Sequence, residues 1–207
     1  MKKLLVLLFP AVVWAQGTQW NPNVYIEQVG DNNLISITQS DGNHTAHVAL
    51  GANLPAASWP AATTATTGAT AGSDSNYVHI TQQGTGDKTA RVEIPNGYNN
   101  SVILLQDGTG NHTANIKNLV GNSNSISIGQ DGAGTHVMNI VGQSGTTNSG
   151  NTINTTQSGS GNKTFDLTLA GTSGAAVTIT QNNPAQANTG AMGIQCVSCG
   201  SYSYVRN

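Results

Sequence analysis

Between residues 100 and 116 the chain reads NSVILLQDGTGNHTANI: apolar and polar residues alternate, a Gly-rich corner intervenes, and the alternation resumes. Val102 and Leu104 share one parity with Gln106, Gly108 and Gly110 make the corner, and Ala114 and Ile116 carry the second run. Alternation with period two marks a half-buried strand, so the unit predicts strand, corner, strand. The same grammar returns along the chain. Gln82, Gln106 and Gln130 are spaced by 24 residues, Gln157 comes 27 later and Gln181 a further 24 on. Gln39 opens the series.

Five full copies can be laid out in this way. The first has Asn33, Ile35, Ile37 and Gln39, a corner at Asp41-Gly42-Asn43, then Ala46, Val48 and Leu50. The second runs from Asn76, Val78, Ile80 and Gln82 to Ala90, Val92 and Ile94, and the third is the copy quoted above, opening at Asn100. The fourth has Asn124, Ile126, Ile128, Gln130, Met138 and Ile140; the fifth has Asn151, Ile153, Thr155, Gln157, Phe165, Leu167 and Leu169. Turn clusters such as Pro95-Asn96-Gly97 and Gly121-Asn122 separate them. Val24, Ile26 and Gln28 form an N-terminal half unit, and Val177, Ile179 and Gln181 a last one. The organisation is therefore a half coil and first coil within 16–50, further coils over 76–181, and a tail over 182–207 that leaves the pattern. Residues 51–75 break the period with Pro55, Pro60 and an Ala/Thr run, and read as an insertion loop. Its Trp59 either folds back on the body or touches a partner.

One such unit cannot stay folded alone, because its strand edges are unpaired and its apolar face is thin. Stacking the next unit at ~4.8 Å pairs the backbone and sets like residues over like. The expected fold is all-β: a β-solenoid of about six strand–turn–strand coils forming two facing parallel sheets. Gln39, Gln82, Gln106, Gln130, Gln157 and Gln181 then become candidate rungs of an amide ladder, and Asn33, Asn76, Asn100, Asn124 and Asn151 of a second. The plainer reading places both at turns that favour polar residues.

Composition narrows the function classes. Only 8% of residues are charged and the net charge is −2, which gives no global attraction for nucleic acid or an anionic membrane. Lys2 and Lys3, the apolar run 4–13 and Val13-Trp14-Ala15 read as a signal peptide over 1–15, with an apolar run too short to span a bilayer. A secreted or cell-surface location is expected. Cys196 and Cys199 are a lone CxxC without the His of haem attachment, a second CxxC for zinc, or a βαβ setting. A local disulfide suits export; intermolecular pairing and a post-export anchor remain alternatives. No nucleophile–base set, HExxH or P-loop occurs, so no enzyme activity, cofactor or metal is expected.

The run I-x-Q-x-G-x-G-N-x-T, with Leu in the first place over Leu104 to Thr113, resembles the curlin repeat of bacterial curli fibre subunits. The Gln series matches that repeat's first Gln, Gly84, Gly108, Gly132 and Gly159 match its Gly, and Asn111 and Asn162 its Asn. The resemblance implies a β-solenoid that polymerises outside the cell into amyloid-like fibres of a biofilm matrix. The chain departs from the pattern in placing Asn at the opening Ser position and Thr45, Thr89, Thr113 and Thr164 at the Ala step. It also lacks most second-arm Gln residues.

One further constellation recurs. His44, Lys88, His112, His136 and Lys163 hold the same corner position in the five full copies. In register they form a basic column, read either as a solvated corner that blocks lateral association or as a site for anionic polysaccharide or extracellular nucleic acid. Two functions follow. The first is a subunit whose partner is itself, in a head-to-tail homopolymer; free strand edges and low charge permit that docking. The second is a monomeric solenoid adhesin or surface-binding module.

Overall fold

The computed structural model describes residues 23–28, 31–50, 73–94 and 97–207. The leader at 1–15, the lead-in that follows it, residues 51–72 of the insertion and Pro95-Asn96 lie outside these. Strands follow one another as β1 (Asn23–Gln28), β2 (Leu34–Gln39), β3 (His44–Leu50), β4 (Tyr77–Gln82), β5 (Lys88–Ile94), β6 (Ser101–Gln106) and β7 (His112–Lys117). They continue as β8 (Ser125–Asp131), β9 (His136–Gly142), β10 (Thr152–Ser158), β11 (Lys163–Leu169), β12 (Ala176–Gln181), β13 (Asn188–Ile194) and β14 (Ser201–Arg206). Odd-numbered strands form one seven-stranded sheet and even-numbered strands the other. Every neighbouring pair is parallel. The expected β-solenoid is therefore the fold: β2 to β13 make six full coils, with β1 alone before them and β14 alone after them.

Register holds like residues over like. In the even sheet, Ile35, Val78, Val102, Ile126, Ile153, Val177 and Tyr202 form one inward column. In the odd sheet, Val24, Ala46, Ala90, Ala114, Met138, Phe165 and Gly190 form another. From the second coil to the fifth these alternating positions are buried, and they make up one continuous core between the sheets. Each coil adjusts its volume locally. Where the odd sheet places Phe165, the same coil carries Thr155 in place of the usual Ile, as close packing requires. One coil later Gly190 offers no side chain, and Tyr204 packs edge-on against Phe165 with ring centroids 4.8 Å apart.

The structure corrects two boundaries. The tail over 182–207 does not leave the solenoid: β13 completes the sixth coil and β14 begins another arm. Its alternation is faint because Gly190 stands in β13 where the previous coil has Phe165, and the outward positions carry Ala191 and Gly193 rather than polar side chains. Residues 73–75, read as the end of the insertion, belong to the corner before Asn76, where the Ser73 hydroxyl is buried and donates to the Ile94 carbonyl at 2.9 Å. The longer spacing between Gln130 and Gln157 leaves register intact, and the exposed turn over 143–145 accommodates it.

Both corners need left-handed backbone. Two residues after each ladder Gln from Gln39 to Gln157 the chain has positive φ, at Asp41, Gly84, Gly108, Gly132 and Gly159. The residue before each ladder Asn does the same, as Asn32, Ser75, Asn99, Ser123 and Gly150. Gly108 is doubly constrained, because its φ is +93° and a Cβ there would lie 2.5 Å from the Gly132 carbonyl oxygen of the next coil. Gly108→Ala should therefore cost on the order of 3 kcal/mol, combining left-handed strain with overpacking. Gly145→Ala, at φ +78° with open space around it, should cost about 1 kcal/mol. Urea denaturation of the two variants checks the ordering.

Candidate functional site

The residues that could do more than fill space lie in three stacked polar columns. The Gln column follows the inward parity of the even sheet and closes each first arm. Gln39 Nε2 donates to Gln82 Oε1 at 2.7 Å, and the relay continues through Gln106, Gln130, Gln157 and Gln181 at 2.7 to 2.9 Å. The second amide hydrogen of Gln82, Gln106 and Gln130 crosses to the odd sheet, donating to the carbonyls of Thr45, Thr89 and Thr113. Each of these three Gln thus ties its coil to the next and one sheet to the other. All from Gln82 to Gln181 are buried.

The Asn column sits at the opposite corner, ahead of each first arm. Asn100 shows the complete pattern. Its Nδ2 donates to Asn76 Oδ1 at 3.0 Å and to the Gly121 carbonyl at 2.9 Å. Its own Oδ1 accepts from the backbone N–H and the side-chain amide of Asn124 at 3.0 and 2.9 Å. Two donor hydrogens and two acceptor sites are all used, which is what a buried amide requires. Asn76 and Asn124 repeat the arrangement, and Asn33 and Asn151 join it at the ends. The ladder steps differ in sense: each Gln donates to the Gln of the later coil, and each Asn to the Asn of the earlier one.

The basic column keeps the register expected of it, with His44 beside Lys88, then His112, His136 and Lys163. Its side chains point inward, however, and none is more than 1% exposed. This corrects both expectations for the column, because neither a solvated corner nor a polyanion site can be made from groups closed inside the turn. The physical reason is parity: His44 alternates with Ala46, Val48 and Leu50, so it faces the core as they do. The Lys88 ammonium donates to the carbonyls of Gly86, Gly108 and Gly110 at 3.0, 2.9 and 2.8 Å. Lys163 does likewise to Gly161 and Gln186. The imidazoles of His44, His112 and His136 use Nε2 on the carbonyls of Ser40, Asp107 and Asp131.

Burial sets the charge of these groups. It lowers all three His, while their backbone hydrogen bonds pull the other way; His112 falls to about 4, with the charges of His136 and Lys88 adding to the decrease. Burial lowers Lys88 and Lys163 too. The His112 and His136 rings stack with centroids 4.8 Å apart, and both Nδ1 atoms are buried without partners. Neutral imidazoles therefore keep the two ammonium groups three coils apart.

Elsewhere, Cys196 and Cys199 form a disulfide in the corner between β13 and β14. Arg91 and Glu93 make a buried ion pair of 2.7 Å on the outer face of β5, which the sequence reading had not singled out. Among the described residues no group of three or more His, Cys, Asp or Glu is placed to hold a metal ion. No helix among them is long and apolar enough to cross a membrane. No protein-family model matches the chain, and neither a curated protein nor a solved structure matches it.

Two expectations follow from the basic column. Burial disfavours the charged form of His44, His112 and His136 in the folded protein, whereas the unfolded chain protonates near pH 6.5. Stability should be full above pH 6.5 and decline as pH falls toward about 4, since the unfolded state takes up protons that His112 refuses. Urea midpoints measured from pH 7.5 down to 4.5 should fall steadily, and a flat profile would contradict the buried neutral column. Lys88→Met should cost on the order of 3 kcal/mol by orphaning three carbonyls, against near zero for Lys117→Met on the surface.

Proposed function

We propose that this chain is an exported structural subunit that stacks end to end into extracellular amyloid-like fibres, serving a biofilm matrix and surface adhesion as the curlin repeats it resembles do. One observation carries the reading. The described stack opens with a lone second arm, β1, and closes with a lone first arm, β14. A second copy placed on the β13–β14 end would set its β1 over β13 and its β2 over β14. The half coil at one end and the half coil at the other would then make one whole coil, with alternation between sheets unbroken.

The ends have the chemistry for such a contact. Their edge strands carry unpaired backbone groups that favour pairing with another chain. At the β1 end Val24 and Ile26 belong to the inward columns yet remain 40% and 46% exposed. Inward columns also surface at the other end, as Tyr202 and Tyr204. A head-to-tail contact of this kind does not close on itself, so it propagates as a filament. Export rests on the leader read at 1–15, and a disulfide in the terminal corner suits an oxidising setting.

Purified protein lacking residues 1–15 should assemble into filaments visible by negative-stain electron microscopy. Fibre diffraction should give a ~4.8 Å repeat along the axis. A protein that stays monomeric for days at high concentration would overturn this reading in favour of a solitary adhesin.

A further inference from the structure

The Gln column has a defined sense, and it ends in a residue that fits that sense. Every internal step runs from the Nε2 of one Gln to the Oε1 of the Gln one coil later. In β14 the next position is held by Arg206, in register with Gln181. A guanidinium has five donors and no acceptor, so it cannot take the hydrogen bond that Gln181 would pass on. Gln181 Nε2 turns instead to the carbonyls of Thr164 and Asn188, at 3.3 and 3.4 Å. The ladder stops inside the chain, and an exposed set of donors faces outward.

The opposite end is its complement. Gln39 spends its amide nitrogen on Gln82, and its Oε1 receives no hydrogen bond among the described residues. β2, which carries it, is the edge of the even sheet. Every pair in that sheet keeps one register, in which the last inward position of one strand lies over that of the next. Carried across a junction between copies, this register puts Leu34 over Ser201, Ile37 over Tyr204 and Gln39 over Arg206.

We infer that Arg206 is the specificity residue of the subunit junction, donating to Gln39 Oε1 of the next copy and so handing the ladder from one subunit to another. The inference rests on the end-to-end stacking proposed above and adds its sense. The donor lies on the earlier coil and the acceptor on the later one, as in all five internal steps. Spare guanidinium hydrogens remain for a carbonyl of the facing strand, the second bond that Gln82, Gln106 and Gln130 make. Reversed docking fails the same test: two β14 ends oppose donor to donor, and two β2 ends present two oxygens.

Seeded elongation, followed by thioflavin fluorescence, tests this with the chain lacking residues 1–15. Arg206→Gln keeps an amide donor and should elongate near the wild-type rate. Arg206→Glu sets a carboxylate against the Gln39 oxygen and should slow elongation about tenfold or more, the equivalent of one charge-assisted bond. Adding Gln39→Arg to Arg206→Glu reverses the pair, with the donor now on the later coil, and should restore the rate. Gln39→Arg alone, which opposes two guanidinium groups, should again be slow. Arg206→Glu growing at the wild-type rate, or a double variant no faster than Arg206→Glu, overturns the assignment of Arg206 while leaving end-to-end stacking in place. A wild-type protein that forms no filaments overturns both.

Discussion

Parallel pairing in a single register is the constraint on which everything else here depends. A strand that lies over its equivalent in every coil places each side chain against a copy of its own position about 4.8 Å away. Any residue type inside the solenoid must therefore tolerate itself as a neighbour. Val and Ile do so by dispersion and burial. Asn and Gln do so because a primary amide is both donor and acceptor, and a column of them satisfies itself. The Asn100 rung, with both hydrogens and both acceptor sites used, is the limiting case. Amides there are not polar intrusions in a core but the polar residues that repetition favours.

A cation does not tolerate itself, and the basic column shows how the fold handles this. Two ammonium groups in adjacent coils would repel at short range in a poorly solvated corner. Lys88 and Lys163 are instead separated by His112 and His136, which burial keeps neutral. Each Lys draws carbonyls from its own coil and from the next, so one ammonium serves two levels of corner. The column is thus an internal brace whose integrity depends on pH through its imidazoles. Its unpartnered Nδ1 atoms mark where a proton would be added without a partner to receive it.

Much of this was legible in the chain, for a physical reason. Parity along a strand and phase along a repeat are both linear in sequence, so they reveal which residues share a face and which share a column. That is why Val102, Leu104 and Gln106 could be placed together. The misreading of His112 came from letting residue type outweigh parity: it alternates with Ala114 and Ile116, and that alone turns it inward. The tail was illegible for a different reason. β13 carries Gly190 where earlier coils carry an apolar side chain, because bulk arrives from Phe165 below and Tyr204 opposite. Compensation between coils leaves no mark in a local window. Arg206 could be recognised as a ladder position only once β14 had been placed in register with β12.

The opposed senses of the two amide columns bear on how such a stack would grow. A hydrogen-bonded chain polarises along its length, so one long ladder would accumulate a dipole along the axis. Here the ladder steps run from Gln to the Gln of the later coil and from Asn to the Asn of the earlier one, and the two contributions oppose each other. With five Gln steps set against four Asn steps, the net field of this origin is smaller than either ladder alone would give, and it offers little to steer an incoming subunit. Direction must then be decided by contact. In the proposed end-to-end stacking the lone arms β1 and β14 would decide it coarsely, since only one orientation joins a second arm to a first. Finer selection has to come from side chains that differ between the ends. Of the two columns only the Gln column keeps a complementary group at each end, because after Asn151 the Asn column gives way to Ala175, which contributes only a backbone N–H. Polarity in this solenoid is therefore a matter of how its repeat is interrupted, rather than of the repeat itself.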